Sequence, residues 1–184
     1  MVEAAFSAVL LAGGKSTRMG CDKAFVALEG VPLWRRQMET LQQLAPSEIF
    51  ISGPRKPAWS GFAVIEDFVP EAGPLAGIAA ALRACKCERL LVLAVDLPKM
   101  RPEFLRELVE CGAAIVPKLD GHFEPLAAVY PKSALPLAET FLQEGRLAMQ
   151  NFVEELVAGG LAQARPIAEE EWVLFHNLNT PFDL

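Results

Sequence analysis

Short apolar runs alternate with amphipathic segments along most of the chain. Apolar runs predict buried strands, and apolar residues spaced three and four apart predict helices between them. The predicted strands cover residues 6–11, 48–52, 62–65, 90–95, 113–117, 126–130, 162–166 and 172–175. The predicted helices cover a segment that begins beside Pro32, residues 73–85, a segment that begins at Pro102, and residues 133–144 and 147–158. A turn is expected at residues 118–121.

This order of elements predicts an α/β fold. Strands separated by helices of this length form a three-layer α/β/α structure with a Rossmann-like, mainly parallel sheet and right-handed crossovers. The 184 residues suit one domain, spanning 1–184. In such sheets ligands bind beyond the carboxyl ends of the strands. A glycine-rich loop, Ser52-Gly53, Asp67 and Asp96 all follow predicted strand ends, so a binding site is expected at that edge.

The composition narrows the range of partners. With 52% hydrophobic and 22% charged residues, the chain is typical of a globular protein. The net charge of -6 gives no general attraction for nucleic acid, whereas cations clustered near the glycine-rich loop favour a small anionic substrate. The apolar runs are too short to cross a membrane, and the N-terminus lacks the pattern of a secretion signal. No membrane contact and a cytoplasmic location are therefore expected.

The cysteines do not form a recognisable metal site. They stand at positions 21, 85, 87 and 111 and include no C-x-x-C pair. The Cys85-Lys86-Cys87 segment lacks the second ligand pair of a zinc site, so reduced, partly buried thiols are the preferred interpretation. His122 and His176 are far apart in sequence and give no metal spacing.

The loop after the first predicted strand carries the clearest chemical signal. Gly13 and Gly14 let the backbone pass close to a ligand, because no Cβ intervenes. Three cations follow within ten residues, as a bound polyphosphate requires, and they are Lys15, Arg18 and Lys23. A phosphate-binding loop is the leading interpretation. The alternative is an ordinary glycine turn with solvated cations.

Spacing excludes two well-known phosphate loops. Gly14-Lys15-Ser16 looks like the end of a Walker A motif, but the position that must be glycine is Val9. Gly13, Gly14 and Gly20 do not fit the G-x-G-x-x-G spacing of a dinucleotide fingerprint.

Three other positions allow two interpretations each. Asp96 ends the most apolar predicted strand and is either a turn residue or a ligand for Mg²⁺, which needs few protein carboxylates because water and substrate phosphates complete its shell. Lys23, beside Asp22, is either a phosphate contact or half of a weak surface pair. Gly73-Pro74 opens a helix whose N-terminus either faces an anion or is an ordinary proline-started end.

The sequence LAGGKSTRMGCDKA resembles the opening of the molybdenum cofactor guanylyltransferase family, within the nucleotidyltransferases. That family begins with a strand followed by L-A-G-G-x-S-x-R-M-G-x-D-K, and every fixed position is filled here. Later segments are similar too: G-P-L-A-G at 73–77, the Asp and Pro of a Cys-Asp-x-Pro pattern at 96–98, x-P-L-x-x-x-Y at 124–130 and N-x-N-T-P-x-D-L at 177–184. The resemblance implies a fold of the nucleotide-diphospho-sugar transferase type.

The resemblance also implies roles for individual residues. Arg18, Lys23 and Asp96 are expected to be catalytic, with Asp96 holding Mg²⁺ and the two cations at the phosphates. Nucleotide-binding positions are expected at Leu11, Ala12, Gly13, Gly14, Lys23, Gly53, Asp67, Pro74, Leu75, Gly77 and Asp96. Acceptor-binding positions are expected at Arg18, Pro125, Asn177 and Asn179. Where the family often has an Asn after the second long strand, this chain has Gly53.

The activity that the resemblance implies is transfer of GMP from GTP to the terminal phosphate of the molybdopterin-molybdenum cofactor, with release of pyrophosphate. The acceptor phosphate is already an anion at neutral pH, so no general base is expected. Delivery of the product implies transient contact with other cofactor-biosynthesis proteins or with recipient molybdoenzymes. Two alternatives stay open: a cytidylyl- or guanylyltransferase for another small phosphate acceptor, and a non-catalytic nucleotide-binding protein.

Overall fold

A mixed, mainly parallel sheet with helices on both faces organises the chain. The computed structural model describes residues 5–13, 22–66, 69 and 72–178. The strands are β1 Ser7–Leu11, β2 Ala27–Leu28, β3 Val31–Pro32, β4 Glu48–Ser52, β5 Ala63–Ile65, β6 Arg89–Ala94, β7 Ile115–Leu119, β8 His122–Phe123, β9 Ala127–Pro131 and β10 Gln163–Pro166. The helices are α1 Leu33–Gln42, α2 Pro74–Ala84, α3 Pro102–Glu110, α4 Leu135–Gln143 and α5 Met149–Ala158. Short 3₁₀ helices cover Lys23–Phe25, Pro57–Trp59, Lys132–Ala134 and Glu169–Phe175.

The strand order places β1 inside the sheet, between β6 and β4. The order is β10-β7-β9-β6-β1-β4-β5, with β8 paired to β7, while β2 and β3 form a separate hairpin. β1 runs parallel to β4 and β6, and β5 runs parallel to β4, whereas β9 is antiparallel to both of its neighbours. Leu11 pairs with Ser52 on one side and Ala94 on the other. Three parallel strands therefore end level, at one edge of the sheet.

The core lies in two layers because successive strand residues point to opposite faces. Ala8 and Leu10 of β1 pack with residues of α1 and α3 on one face. Val9 and Leu11 pack with residues of α2, α4 and α5 on the other face. All six residues of β6 are buried, and the five after Arg89 form the unbroken apolar run that predicts a buried strand. The three-layer α/β/α arrangement expected from the sequence is confirmed.

The strand predicted at 172–175 is wrong. These residues belong to the 3₁₀ helix Glu169–Phe175. Its start is capped by the Glu171 carboxylate, which accepts a hydrogen bond from the Ala168 N–H at 2.9 Å. Leu174 and Phe175 are buried side by side, whereas Trp172 is 38% exposed, which is not the alternation of a half-buried strand. The apolar residues of this segment are explained by one turn of 3₁₀ helix that places Leu174 and Phe175 in the core.

Two hairpins are additional to the predicted elements. The predicted turn at 118–121 narrows to two residues, because β7 continues to Leu119 and pairs with β8. Asp120 and Gly121 have φ of 45° and 84°, as a tight type I′ hairpin turn requires. Glu29 and Gly30 join β2 to β3 with φ of 53° and 81°. Strands of two residues leave too short an apolar pattern to be predicted.

Candidate active site

The carboxyl ends of β1, β4 and β6 hold the start of the glycine-rich loop. The N–H of Ala12 donates to the Ser52 carbonyl at 2.9 Å, and the N–H of Val95 donates to the Leu11 carbonyl at 3.1 Å. Each of these bonds continues a strand pairing one residue beyond the strand end. The backbone from Leu11 into the loop is thereby fixed between its two neighbours.

Gly53 packs directly against Gly13. A Cβ built at position 53 would lie 3.0 Å from the Gly13 nitrogen, a tight contact that the Gly13 backbone could relieve only by moving a few tenths of an ångström. The φ of Gly53 is +148°, a conformation that L side chains rarely adopt. Its N–H donates to the Ile65 carbonyl at 3.0 Å, which ties this turn to β5. At the position where the family often has an Asn, a side chain would therefore strain the backbone and displace Gly13 here.

Lys23 and Asp96 meet at this edge, although they are 73 residues apart in sequence. The Lys23 Nζ donates to Asp96 Oδ2 at 3.3 Å, and the two side chains are 21% and 24% exposed. The backbone of Asp96 is held from the far end of the chain, because its carbonyl accepts the N–H of Leu178 at 2.9 Å. The buried Gln37 side chain donates to the carbonyl of the next residue, Leu97. A cation and a carboxylate are thus held together where water and a ligand can reach them.

The first turn of α2 begins at the same edge. β5 ends level with β4, since Ile65 pairs with Ser52, and α2 is the next described element along the chain. Gly73, with φ of 65°, precedes Pro74 at the first helical position and has no side chain with which to cap this end. Leu75 and Gly77 are buried within α2. Backbone N–H groups, rather than side chains, are what this helix end offers to a ligand.

The segments expected to face the acceptor lie around Asp96. Pro125 is buried, and its carbonyl accepts the hydroxyl of Tyr130 at 2.8 Å, which explains the spacing of the x-P-L-x-x-x-Y segment. The Ala94 N–H donates to the Leu126 carbonyl at 2.8 Å, so this turn adjoins the end of β6. Asn177 is exposed and directly precedes Leu178.

Several predicted site residues lie outside the described residues. They are Gly14, Lys15, Arg18, Asp67 and Asn179. Their expected roles stay predictions. Cys21 also lies outside, while Cys85, Cys87 and Cys111 are free thiols.

Two residues near this edge were missed by sequence reasoning. Lys56 forms an ion pair with Asp22, immediately before Lys23. Glu124 is half-buried beside Pro125, and burial raises the pKa of its carboxyl group, partly opposed by His122. Lys56 belongs to no motif, and Glu124 fills only the unspecified first position of the x-P-L-x-x-x-Y segment, so only the fold reveals their surroundings.

The surroundings of Asp96 suit an open site for a hard cation, and not a site in which several protein side chains enclose the metal. Within residues 5–13, 22–66, 69 and 72–178, no group of three His, Cys, Asp or Glu side chains is placed to hold a metal ion. Mg²⁺ is usually bound by one or two carboxylates together with water and substrate phosphates. A single partly exposed carboxylate at the ligand edge therefore fits such an ion.

A nucleotidyltransferase is the class of protein that this fold and site define. The chain belongs to the family of the MobA-like NTP transferase domain, which it matches over residues 8–175.

Relatives and a solved structure agree with this class. A probable molybdenum cofactor guanylyltransferase of Opitutus terrae is 39% identical, covering 97% of this chain and 93% of its own. The molybdenum cofactor guanylyltransferase of Syntrophotalea carbinolica is 31% identical, covering 96% and 88%. The crystal structure of molybdopterin-guanine dinucleotide biosynthesis protein A from Archaeoglobus fulgidus superimposes with a TM-score of 0.79, at 28% identity, over 96% of this chain and 94% of that one. The expected fold type is confirmed by this similarity.

Across the described ranges, no helix combines the length and apolar character that spanning a membrane demands. The expected cytoplasmic location stays a prediction.

Proposed function

We propose that this chain is a molybdenum cofactor guanylyltransferase, which transfers GMP from GTP to the terminal phosphate of the molybdopterin-molybdenum cofactor and releases pyrophosphate. The observation that carries the proposal is the Lys23–Asp96 pair, with its 3.3 Å contact at the carboxyl edge of the sheet. The pair stands beside a backbone loop that begins at Ala12. Relatives that share nearly the whole chain carry this activity in their names.

The nucleotide is assigned to the side of the edge formed by β1, β4 and α2. Leu11, Ala12, Gly13 and Gly53 supply backbone that a ligand can approach closely, and Gly14 extends this loop by the resemblance. The first turn of α2, with Pro74, Leu75 and Gly77, supplies N–H groups and the positive end of a helix dipole. Asp67 joins this set by the resemblance alone.

The charges at the site suit phosphoryl transfer. A triphosphate and an attacking phosphate repel each other, so the reaction depends on compensating cations and on in-line positioning. Lys23 supplies one cation, and Arg18 supplies another by the resemblance. Mg²⁺ is the ion proposed for Asp96, where its charge would offset that of the phosphates.

The reaction balances without a general base. An oxygen of the acceptor phosphate forms a bond to the α-phosphorus of GTP, and the bond from that phosphorus to the bridging oxygen breaks. The electron pair leaves with pyrophosphate, and no proton has to be removed from the attacking oxygen at neutral pH. The protein's contribution is orientation and charge stabilisation.

The acceptor is assigned to the other side of Asp96. Pro125 and Asn177 lie on segments that hydrogen bonds join to the end of β6 and to Asp96. Arg18 and Asn179 complete the acceptor set by the resemblance. Transfer of the product to recipient molybdoenzymes or other biosynthetic proteins completes the proposal.

Titration of the purified protein with GTP, CTP and ATP, each with and without Mg²⁺, tests the nucleotide. Preference for GTP with Mg²⁺ supports guanylyl transfer, and pyrophosphate release on adding the molybdopterin-molybdenum cofactor then tests the reaction. Preference for CTP would favour a cytidylyltransferase, a candidate that Gly53 keeps open because it offers no side-chain amide to a base. Binding without turnover would favour a non-catalytic nucleotide-binding protein.

A further inference from the structure

Lys56 lies after β4, in the segment that follows Gly53, and is not part of any motif. Its Nζ pairs with Asp22 Oδ2, and the two side chains are 25% and 33% exposed. The neighbouring cation offers a contrast within the same segment. Arg55 pairs with Glu66 at 3.0 Å, but those side chains are 74% and 57% exposed. Exposed pairs of that kind contribute little, whereas the pair of Lys56 is largely shielded from water.

Asp22 uses its two oxygens for different purposes. Oδ1 accepts the N–H of Ala24 at 3.1 Å and so caps the 3₁₀ helix Lys23–Phe25. Oδ2 accepts from Lys56. One carboxylate therefore joins the turn that carries Lys23 to the segment after β4.

Two aromatic rings fix the position of the Lys56 ammonium group. Its Nζ lies 5.2 Å from the ring centroid of Phe25 and 5.6 Å from that of Trp59. The two rings are stacked, with centroids 5.9 Å apart and 19° between their planes. Trp59 is 1% exposed, so it is anchored in the core, whereas Phe25 is the last residue of the Lys23 turn. Lys56 thus contacts this turn at two points, the Asp22 carboxylate and the Phe25 ring.

We infer that Lys56 is a positioning residue for Lys23. It holds Asp22 and Phe25, which stand on either side of Lys23 and Ala24, and so keeps the Lys23 ammonium group at Asp96. The inference rests on the proposed function, in which Lys23 contacts the nucleotide phosphates. In this inference Lys56 acts through Lys23 rather than on the nucleotide itself.

The first experiment measures the affinity for GTP with Mg²⁺ by calorimetry, alongside thermal unfolding. Lys56→Met keeps the length of the side chain but removes its charge, and we expect the affinity to fall about tenfold, since small displacements of a charged contact are costly. Lys56→Arg keeps the cation over the rings and should restore most of the loss. Arg55→Met removes a neighbouring cation with an exposed pair, and its affinity should equal that of the wild type. Wild-type affinity in Lys56→Met would overturn the inference.

Asp22→Asn separates positioning from simple electrostatics. Asn keeps an oxygen for the Ala24 N–H and removes the negative charge that Lys56 needs. Removing a negative charge near a polyanion should by itself tighten binding, and it would also release Lys56 to contact the phosphates directly. The inference predicts the opposite, a loss of about tenfold that is not increased further in the double variant with Lys56→Met. Unchanged or tighter binding, or additive losses, would overturn it.

The failure of this inference can be distinguished from failure of the proposed function. If the wild type binds GTP and Lys56→Met binds it equally well, positioning fails while the proposed function stands. If the wild type prefers CTP, guanylyl transfer fails and the same variants are compared with CTP. Binding of no nucleoside triphosphate by the wild type would overturn both.

Discussion

The two ends of β1 carry polar groups of similar chemistry that are held in different ways. At the amino end, the Ser7 hydroxyl donates to Glu48 Oε1 at 2.7 Å, and the N–H of Lys86 donates to the same oxygen at 2.5 Å. The Cys87 N–H donates to the Ser7 oxygen at 3.4 Å. In this network a hydroxyl and a backbone N–H together hold the Glu48 carboxylate in place.

At the carboxyl end the contact joins two oppositely charged side chains. Lys23 and Asp96 meet at 3.3 Å, and each side chain keeps about a fifth to a quarter of its exposure. Gly53 and Gly13 bring two backbone segments together without side chains between them. The comparison indicates that the amino end serves stability, whereas the carboxyl end keeps charge and backbone accessible to a ligand. Substitutions at the two ends should therefore change different quantities.

The largest effect is expected from Asp96→Ala at the carboxyl end. Loss of this carboxylate should leave the fold intact and lower the rate of pyrophosphate release at least about a hundredfold, as expected for an electrostatic contact to the reacting groups. Asp96→Asn, which keeps the shape, should lose the increase in GTP affinity that we expect Mg²⁺ to give the wild type. Steady-state rates and calorimetry with and without Mg²⁺ measure the two effects.

Circular dichroism and thermal unfolding serve as the controls for Asp96. Near-normal turnover in a folded Asp96→Ala protein would remove this residue from the proposed mechanism. A Mg²⁺ dependence that survives in Asp96→Asn would place the ion elsewhere.

The second-largest effect is expected from Gly53→Ala. The added Cβ would press on the Gly13 nitrogen at 3.0 Å and would strain a backbone at φ of +148°, so we expect a loss of about 1–3 kcal/mol in unfolding free energy and weaker GTP binding. Gly61→Ala is the matched control, because nothing lies within 4 Å of its Cβ position and its φ is not in the strained range. Equal stability and affinity in the two variants would contradict the close approach of Gly53 to Gly13.

Sequence patterns predicted the elements with long apolar runs and missed what depends on tertiary contacts. β4 was predicted at its observed bounds because its apolar run is flanked by turn residues. The run at Trp172 was misread, since a strand and a 3₁₀ helix that buries two adjacent residues leave a similar short pattern. Lys23 and Asp96 were selected by motif and strand end, but their contact required the fold. A role for Lys56 could not be predicted, because it depends on contacts with Asp22 and Trp59 that only the fold creates.

At the amino end, Glu48→Gln should lower stability without changing GTP affinity. Burial opposes ionisation of Glu48, but the Lys86 N–H and the Ser7 hydroxyl outweigh it and hold the pKa of the carboxyl group below its ordinary 4.5. Hydrogen bonds to a charged acceptor are stronger than those to an amide, so we expect a loss of about 1 kcal/mol at pH 7, measured by urea unfolding. Because folding lowers this pKa, the stabilisation is present above pH 4.5 and is lost as the pH falls through the folded-state value.

Glu154→Gln is the control for this loss, since Glu154 is exposed on α5. The substitution should leave the unfolding free energy at pH 7 close to that of the wild type. A loss in Glu48→Gln that is the same at pH 7 and in acid would show that packing, rather than charge, accounts for the effect.

The smallest effect is expected at Glu124, where folding raises the pKa of the carboxyl group instead of lowering it as at Glu48. Burial raises the pKa of this carboxyl group, so folding is not penalised below the ordinary 4.5 and is penalised increasingly as the pH rises through the folded-state value. Glu124→Gln removes the charge and keeps the shape, and it should therefore raise the melting temperature slightly at pH 7, with a gain that vanishes in acid. Thermal unfolding at pH 4 and pH 7, again beside Glu154→Gln, measures it. A melting temperature that falls at pH 7 would mean that the ionised Glu124 carboxylate stabilises the fold. Glu124 would then resemble Glu48 at the amino end of β1, whose charged form is the stabilising one.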